Sequence, residues 1–219
     1  MPTRAGRPVS GSVRFGAALI AFGTLQFTAA MIVVQLRFPG YSDLGNYISD
    51  LGNSSISPWF PVFNISIIVL GICAFVGILL AWPAFPKGGT RPVGLSLLLL
   101  AGVGAILVGL FPENVNLPVH EIASLLVFAP GGVALVVLAA GMRPRSGWER
   151  FGLPSAVLGL VTLVALAYYV PTQQSGTTWY PGLVERLIVA PILIWAILAA
   201  IQLIGNRSRW SAPPGRPEA

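Results

Sequence analysis

Six runs of predominantly apolar residues, each long enough to cross a bilayer as a helix, make up most of this chain. About 20 consecutive apolar residues are needed for one such crossing. Short connections rich in proline, glycine and charge, such as PKGGTRP and PENVNLP, separate the runs. The runs cover approximately residues 15–36, 59–82, 92–111, 119–142, 151–170 and 183–205. The sequence therefore predicts an all-α, polytopic membrane protein, a bundle of six transmembrane helices.

The low content of charged residues supports the same prediction. Charged residues make up 9% of this chain, whereas soluble domains contain about 25%. The formal net charge of +6 does not indicate nucleic-acid binding, because the basic residues stand at the ends of apolar runs and form no patch. The single cysteine, Cys73, excludes an intrachain disulfide and a cysteine-based metal site. Membrane lipid is therefore the expected partner, and no nucleic acid is expected.

The distribution of lysine and arginine predicts how the chain crosses the membrane. Eleven of the 13 basic residues fall in the two termini and in the second and fourth connections, and the exceptions are Arg37 and Arg186. Since cytoplasmic loops are enriched in lysine and arginine, six spans with both termini in the cytoplasm fit this count. We predict a basic cytoplasmic arm over residues 1–14, a membrane domain over 15–205 that is integral to the cell membrane, and a disordered cytoplasmic tail over 206–219.

The first outer connection contains an unusually polar stretch, YSDLGNYISDLGNSS, at residues 41–55. Within it, Leu44, Tyr47, Ile48 and Leu51 recur at the spacing of one helix face, and Asp43, Asn46 and Asp50 recur on another. Ser42 is placed to cap such a helix and Gly52 to end it. Because ten residues cannot span a bilayer, we predict a short helix over residues 42–51 that lies at the outer interface with its apolar side down.

Further polar residues are predicted to lie at the same outer level, close to this segment. Ionisable residues at membrane depth are costly unless they are paired or face a cavity. Arg186 is therefore expected to pair with a carboxylate, and the candidates are Asp50, Glu113, Glu121 and Glu185. The candidate ligand-binding residues are Asp43, Asn46, Asp50, Asn64, Glu113, His120, Glu121, Ser124 and Arg186. Two interpretations stay open: a collar of ion pairs that ties the loops to the bundle, or an outer-leaflet polar pocket that holds a ligand.

The same cluster contains the candidates for acid–base chemistry. Asp50, Glu113, His120 and Glu121 carry the titratable groups, and a histidine beside Glu121 could serve as a general base. We predict no metal and no cofactor, because His120 is the sole histidine and the sequence contains no HExxH, GxSxG, P-loop or dinucleotide motif.

Two segments resemble the signatures of a known family. FPGYSDLGNYISDLG with SPWFPVFNISIIVLG, and GLFPENVNLPVHEIASLLVF, are similar to signatures of the uncharacterised membrane proteins grouped as domain of unknown function (DUF) 998. The resemblance extends over residues 15–205 and implies a compact six-helix membrane protein, but no activity. The motif residues that it carries over are Tyr41, Ser42, Asn46, Ser49, Asp50, Gly52, Asn64, Pro112, Glu113 and His120. One common family form has a histidine before PGY, where this chain has Phe38.

The ISDLG run also resembles the first outer loop of the damage-regulated autophagy modulator family, over a much shorter stretch. Three functional hypotheses follow from the residues. The first is a membrane protein that binds a lipid or a small amphiphilic ligand without catalysis. The alternative is an intramembrane enzyme that uses carboxylates and His120 on a lipid or isoprenoid. A transporter is disfavoured because no charged residue lies near the middle of any span. The oligomeric state is left open.

Overall fold

The computed structural model of the protein describes residues 10–143 and 147–205. They form six α-helices, joined by turns and two short 3-10 helices, Ser49–Gly52 and Trp82–Ala84. The α-helices are α1 Gly11–Arg37, α2 Phe60–Ala81, α3 Thr90–Leu110, α4 Leu117–Met142, α5 Glu149–Gln174 and α6 Pro181–Gly205. All six are long and apolar enough to cross a membrane, which confirms the predicted six-helix architecture. Part of the predicted arm (residues 1–9) and all of the predicted tail (206–219) lie outside the described residues.

Local capping explains where several of these helices begin. The Ser10 hydroxyl accepts a hydrogen bond from the Val13 N–H at 3.4 Å, so α1 starts four residues before the predicted boundary and includes Arg14. The Asn116 side chain accepts from the Val119 N–H at 3.2 Å at the start of α4. The predicted limits of the spans therefore shift by a few residues, while their number and order hold.

Each helix packs against its neighbours in sequence, and α1 also packs against α6, which closes the bundle. Small residues allow close approach: a Cβ added at Gly16 of α1 would lie 2.6 Å from the Gly77 carbonyl oxygen of α2. Since the chain reverses at each connection, residues 38–59, 111–116 and 175–180 lie at one end of the bundle. We call this end the polar end.

The predicted α-helix over residues 42–51 is wrong. This segment forms turns that lead into the 3-10 helix Ser49–Gly52. An α-helix would pair the Ile48 N–H with the Leu44 carbonyl. Instead, Ile48 N–H donates to the Glu185 carboxylate, and the Leu44 carbonyl accepts from the Gly182 N–H at 3.0 Å. Contacts with α6 therefore take the backbone groups that the local helix would have used.

Candidate functional site

Arg186, in the second turn of α6, binds the first loop to the bundle. One guanidinium nitrogen, Nη2, donates to the Asp43 carboxylate at 2.7 Å and to the Tyr41 hydroxyl at 2.8 Å. The other, Nη1, donates to the carbonyls of Asn46 at 3.2 Å and Gly182 at 2.9 Å. We call these five residues the Arg186 anchor. The carboxylate that pairs with Arg186 is that of Asp43, in the first loop. The prediction of its partner was therefore wrong, since it named Asp50, Glu113, Glu121 and Glu185.

A cavity of about 310 Å³ lies beside the anchor, between the first loop, α4, α5 and α6. Its walls combine the polar side chains of the loops with apolar side chains from deeper in the bundle. The residues that line it are Tyr47, Ser49, Glu113, Leu117, His120, Glu121, Ile122, Ser124, Leu125, Phe128, Leu166, Tyr169, Val170, Gln173, Gln174 and Glu185.

The structure divides the predicted site residues among three places. Four of them line the cavity: Glu113, His120, Glu121 and Ser124. Asp43, Asn46 and Arg186 belong to the anchor. Asn64 and Asp50 hold the loop backbone, because the Asn64 amide donates to the Gly52 carbonyl at 3.0 Å and Asp50 accepts from the Tyr47 N–H at 3.0 Å. The anchor provides one ion pair of the kind predicted for a collar, and whether the cavity holds a ligand stays a prediction.

The ring of His120 is fixed by a main-chain carbonyl. Its Nδ1 lies 3.0 Å from the Phe111 carbonyl oxygen, and since that oxygen can only accept, Nδ1 carries the proton. In the tautomer that this contact selects, Nε2 is the acceptor, and the residue, 7% exposed, lines the cavity. No hydrogen bond joins His120 to Glu121 within the described part of the chain, where Glu121 is exposed.

Asp50 follows the lining residue Ser49 in the loop and is close to a second carboxylate, that of Glu113. Burial raises its pKa above the ordinary value of 3.8, and the negative charge of Glu113 raises it further. Hydrogen bonds from the Asn46 side chain and the Tyr47 N–H lower it, but they do not cancel the other effects. Glu113 is itself held by the Asn53 amide, whose Nδ2 lies 2.8 Å from Oε1. The ionised form of Asp50 is thus disfavoured by folding.

We expect the stability of the Asp50→Asn variant, relative to that of the wild type, to increase as the pH rises. Because the folded-state pKa of Asp50 is raised, the folded wild type loses stability between pH 3.8 and that higher value. The asparagine variant lacks this titration and can still accept from the Tyr47 N–H. A tenfold difference in proton affinity corresponds to about 1.4 kcal/mol. Thermal unfolding of both proteins at pH 4 to 8 checks this; a constant difference between them would contradict it.

Several residues that line the cavity were not among the site residues predicted from the sequence. Glu185 was considered as a partner of Arg186, and Tyr47 was assigned to the apolar face of the predicted helix. Tyr169 ends an apolar run, and no sequence pattern distinguishes it from the tyrosines and tryptophans that membrane helices carry near the interface. Gln173 and Gln174 carried a signal, since they begin the polar connection after that run.

No group of three or more His, Cys, Asp or Glu side chains that could hold a metal ion occurs among residues 10–143 and 147–205. The family model described as "Protein of unknown function (DUF998)" matches residues 21–202. Neither the curated proteins nor the solved structures include a match to the chain. The short resemblance of the ISDLG run to autophagy modulators therefore has no support from these comparisons.

Proposed function

The chain belongs to the DUF998 family, whose function is unknown, and from the geometry of its own residues we propose that it binds a lipid or another amphiphile in the cavity at the polar end. The observation that carries this proposal is the two-sided lining of the cavity. Glu113, His120 and Gln173 supply polar groups at its loop side, while Phe128 and Leu166 supply an apolar wall. Its volume of about 310 Å³ is at the lower end of the range for small-molecule sites.

The cavity extends in the direction that an acyl chain would take. Phe128 stands 11 residues after the first residue of α4, which corresponds to about 16 Å along the helix. This distance is about half of the hydrocarbon thickness of a bilayer. A head group at Glu113 and an alkyl chain against Phe128 would therefore both match their surroundings.

The cavity is also accessible from the lipid phase. Ile122 and Leu125 of α4 are 63% and 48% exposed, and Val170 of α5 is 39% exposed, yet all three line the cavity. Exposed apolar side chains on a membrane helix contact lipid tails. An amphiphile can thus enter sideways between α4 and α5, without its chain crossing water.

We propose that the polar end faces the outside and that both termini are cytoplasmic. The support is the charge distribution: in the described residues, Lys87 and Arg91 flank the connection between α2 and α3 at the opposite end, and Arg143 and Arg150 flank the one between α4 and α5. Cysteine labelling of intact cells tests this. A cysteine introduced at the exposed Ser55 should react with a membrane-impermeant maleimide, and one introduced at Lys87 should not.

Filling the cavity should remove its ligand. We expect Ser124→Trp to lower the amount of lipid that co-purifies with the protein at least about fivefold, because the indole would occupy the volume between α4 and α5. Mass spectrometry of the extracted lipids measures this. The matched control is Ile65→Trp, at a similar depth in α2, where the side chain is 62% exposed and lines none of the described cavities. Equal lipid content in the two variants would exclude the cavity as the binding site.

One observation favours a second candidate, acid–base catalysis on the bound amphiphile. The Nε2 atom of His120 has no hydrogen-bond partner in the described structure, and three carboxylates line the same cavity. Substituting His120→Ala distinguishes the two functions. An enzyme would keep its ligand while one cellular lipid accumulates, whereas a binding protein would leave the lipid composition of the cell unchanged.

A further inference from the structure

We infer that the cavity selects amphiphiles whose head group carries a positive charge, an amine or a quaternary ammonium. This inference rests on the proposed function and adds the chemistry of the head group to it. Three carboxylates, those of Glu113, Glu121 and Glu185, line the cavity, and no lysine or arginine is among its described lining residues. Arg186, which follows Glu185 in the chain, directs both of its terminal nitrogens to the anchor.

Glu185 provides a second and independent observation. Its side chain is 7% exposed, lines the cavity, and uses Oε2 to accept the Ile48 N–H. Its other oxygen, Oε1, accepts no hydrogen bond from residues 10–143 and 147–205 but is not among their fully buried unpartnered atoms, so it remains accessible to a ligand in the cavity. A carboxylate oxygen in a largely buried side chain is costly to leave without a donor. A ligand that brings N–H donors or a positive charge would satisfy this atom, while a phosphate or sulfate head group would be repelled.

The aromatic lining fits the same class of head group. Tyr47 and Tyr169 both line the cavity, and their rings meet edge to face, with centroids 6.1 Å apart and planes at 82°. Ring faces attract ammonium groups, more strongly where water is excluded. A pair of tyrosine rings that lines the same cavity as the buried Glu185 therefore forms a surface for a desolvated ammonium. A neutral sugar head group would use the hydrogen bonds but leave the carboxylate charges uncompensated.

The full-length protein in nanodiscs of digalactosyldiacylglycerol, an uncharged lipid without an amine, allows a direct test with three amphiphiles of equal chain length: dodecyltrimethylammonium, dodecyl maltoside and dodecyl sulfate. Calorimetric titration against empty nanodiscs measures the binding that is due to the protein. We expect the ammonium compound to bind at least about tenfold more tightly than the other two. Equal affinities, or a preference for the sulfate, would overturn the inference.

Single substitutions test whether the carboxylates that line the cavity cause the preference for an ammonium head group. Glu185→Gln keeps an acceptor for the Ile48 N–H but removes the charge, and should cost about tenfold in affinity for the ammonium compound and little for the maltoside. Glu121→Gln changes an exposed lining residue, so that it tests the charge effect even if Glu185→Gln folds poorly. Glu149→Gln is the control, because it removes an exposed carboxylate at the opposite end of the bundle. A loss in Glu149→Gln equal to that in the lining variants would also overturn the inference.

The same titrations separate this inference from the proposed function. Binding of all three amphiphiles without a charge preference, abolished by Ser124→Trp, would leave the proposed function standing and reject the cationic head group. No binding above empty nanodiscs would reject both. Sphingosine built into the nanodisc should compete with added dodecyltrimethylammonium, because both carry an ammonium group on an alkyl chain and would occupy the same cavity; tight binding of dodecyltrimethylammonium without such competition would overturn the inference for membrane amphiphiles.

Discussion

Replacing Gly182 with alanine should detach the first loop from the bundle and lower the free energy of unfolding by about 3 kcal/mol. A Cβ at this position would lie 2.1 Å from the Asn46 carbonyl oxygen and 2.7 Å from that of Asp43. Both neighbours are backbone atoms, so neither can move away as a flexible side chain would. The loop must then leave α6, and the Leu44 carbonyl loses the Gly182 N–H that it accepts at 3.0 Å. Thermal unfolding in detergent measures the effect.

Gly45→Ala is the matched control for this substitution, because Gly45 lies in the same loop. The nearest atom to its added Cβ is the Ser42 hydroxyl oxygen at 3.6 Å, an ordinary contact. We expect this variant to unfold at the temperature of the wild type. Because Tyr47 and Ser49 form part of the cavity wall, Gly182→Ala should also lose co-purified lipid, while Gly45→Ala keeps it. Matching unfolding temperatures for all three proteins would mean that the loop does not rest on α6.

The six helices could be predicted because a long apolar run in a bilayer has few alternatives. Without water to bind the backbone, such a run satisfies its N–H and C=O groups within a helix. The run predicted over residues 119–142 corresponds to α4, Leu117–Met142. The largest difference at a C-terminal helix end is at α5, which was predicted to stop at residue 170 and continues to Gln174. There the Thr172 and Ser175 hydroxyls bond to carbonyls of the preceding turn, which keeps the polar extension helical.

The conformation of the first loop could not be predicted, because long-range contacts decide it. The apolar and polar spacing in residues 42–51 is that of a helix, but the acceptor for the Ile48 N–H is Glu185, 137 residues away. For Arg186, the sequence predicted that a carboxylate would pair with it. Which carboxylate does so could not be predicted, because Asp43 reaches Arg186 only through the conformation of the loop. The cavity residues on α4 were predictable, since they begin a helix next to a polar connection. Tyr169 was not, because its role depends on the neighbouring helices.

Arg186→Met should destabilise the protein by about 2 kcal/mol, far more than removal of its ionic partner. Arg186 is 19% exposed at its side chain and donates to two carbonyls and one hydroxyl in addition to the carboxylate. Methionine keeps the apolar stem but supplies none of these donors. Asp43 is 68% exposed at its side chain, so its carboxylate returns to water at little cost. We therefore expect Asp43→Asn to change stability by less than about 0.5 kcal/mol.

Comparing these two variants shows whether the ion pair with Asp43 or the hydrogen bonds to main-chain carbonyls hold the first loop. If the ion pair held the loop, both substitutions would destabilise the protein to the same extent, and high salt would weaken the wild type. If the hydrogen bonds to the Asn46 and Gly182 carbonyls hold it, Arg186→Met alone should increase hydrogen–deuterium exchange in residues 41–52, with little dependence on salt. The Asn46 carbonyl precedes Tyr47 directly, so release of the anchor would also displace a wall of the cavity. Arg186 would then act on ligand binding through the position of the loop, without touching the ligand.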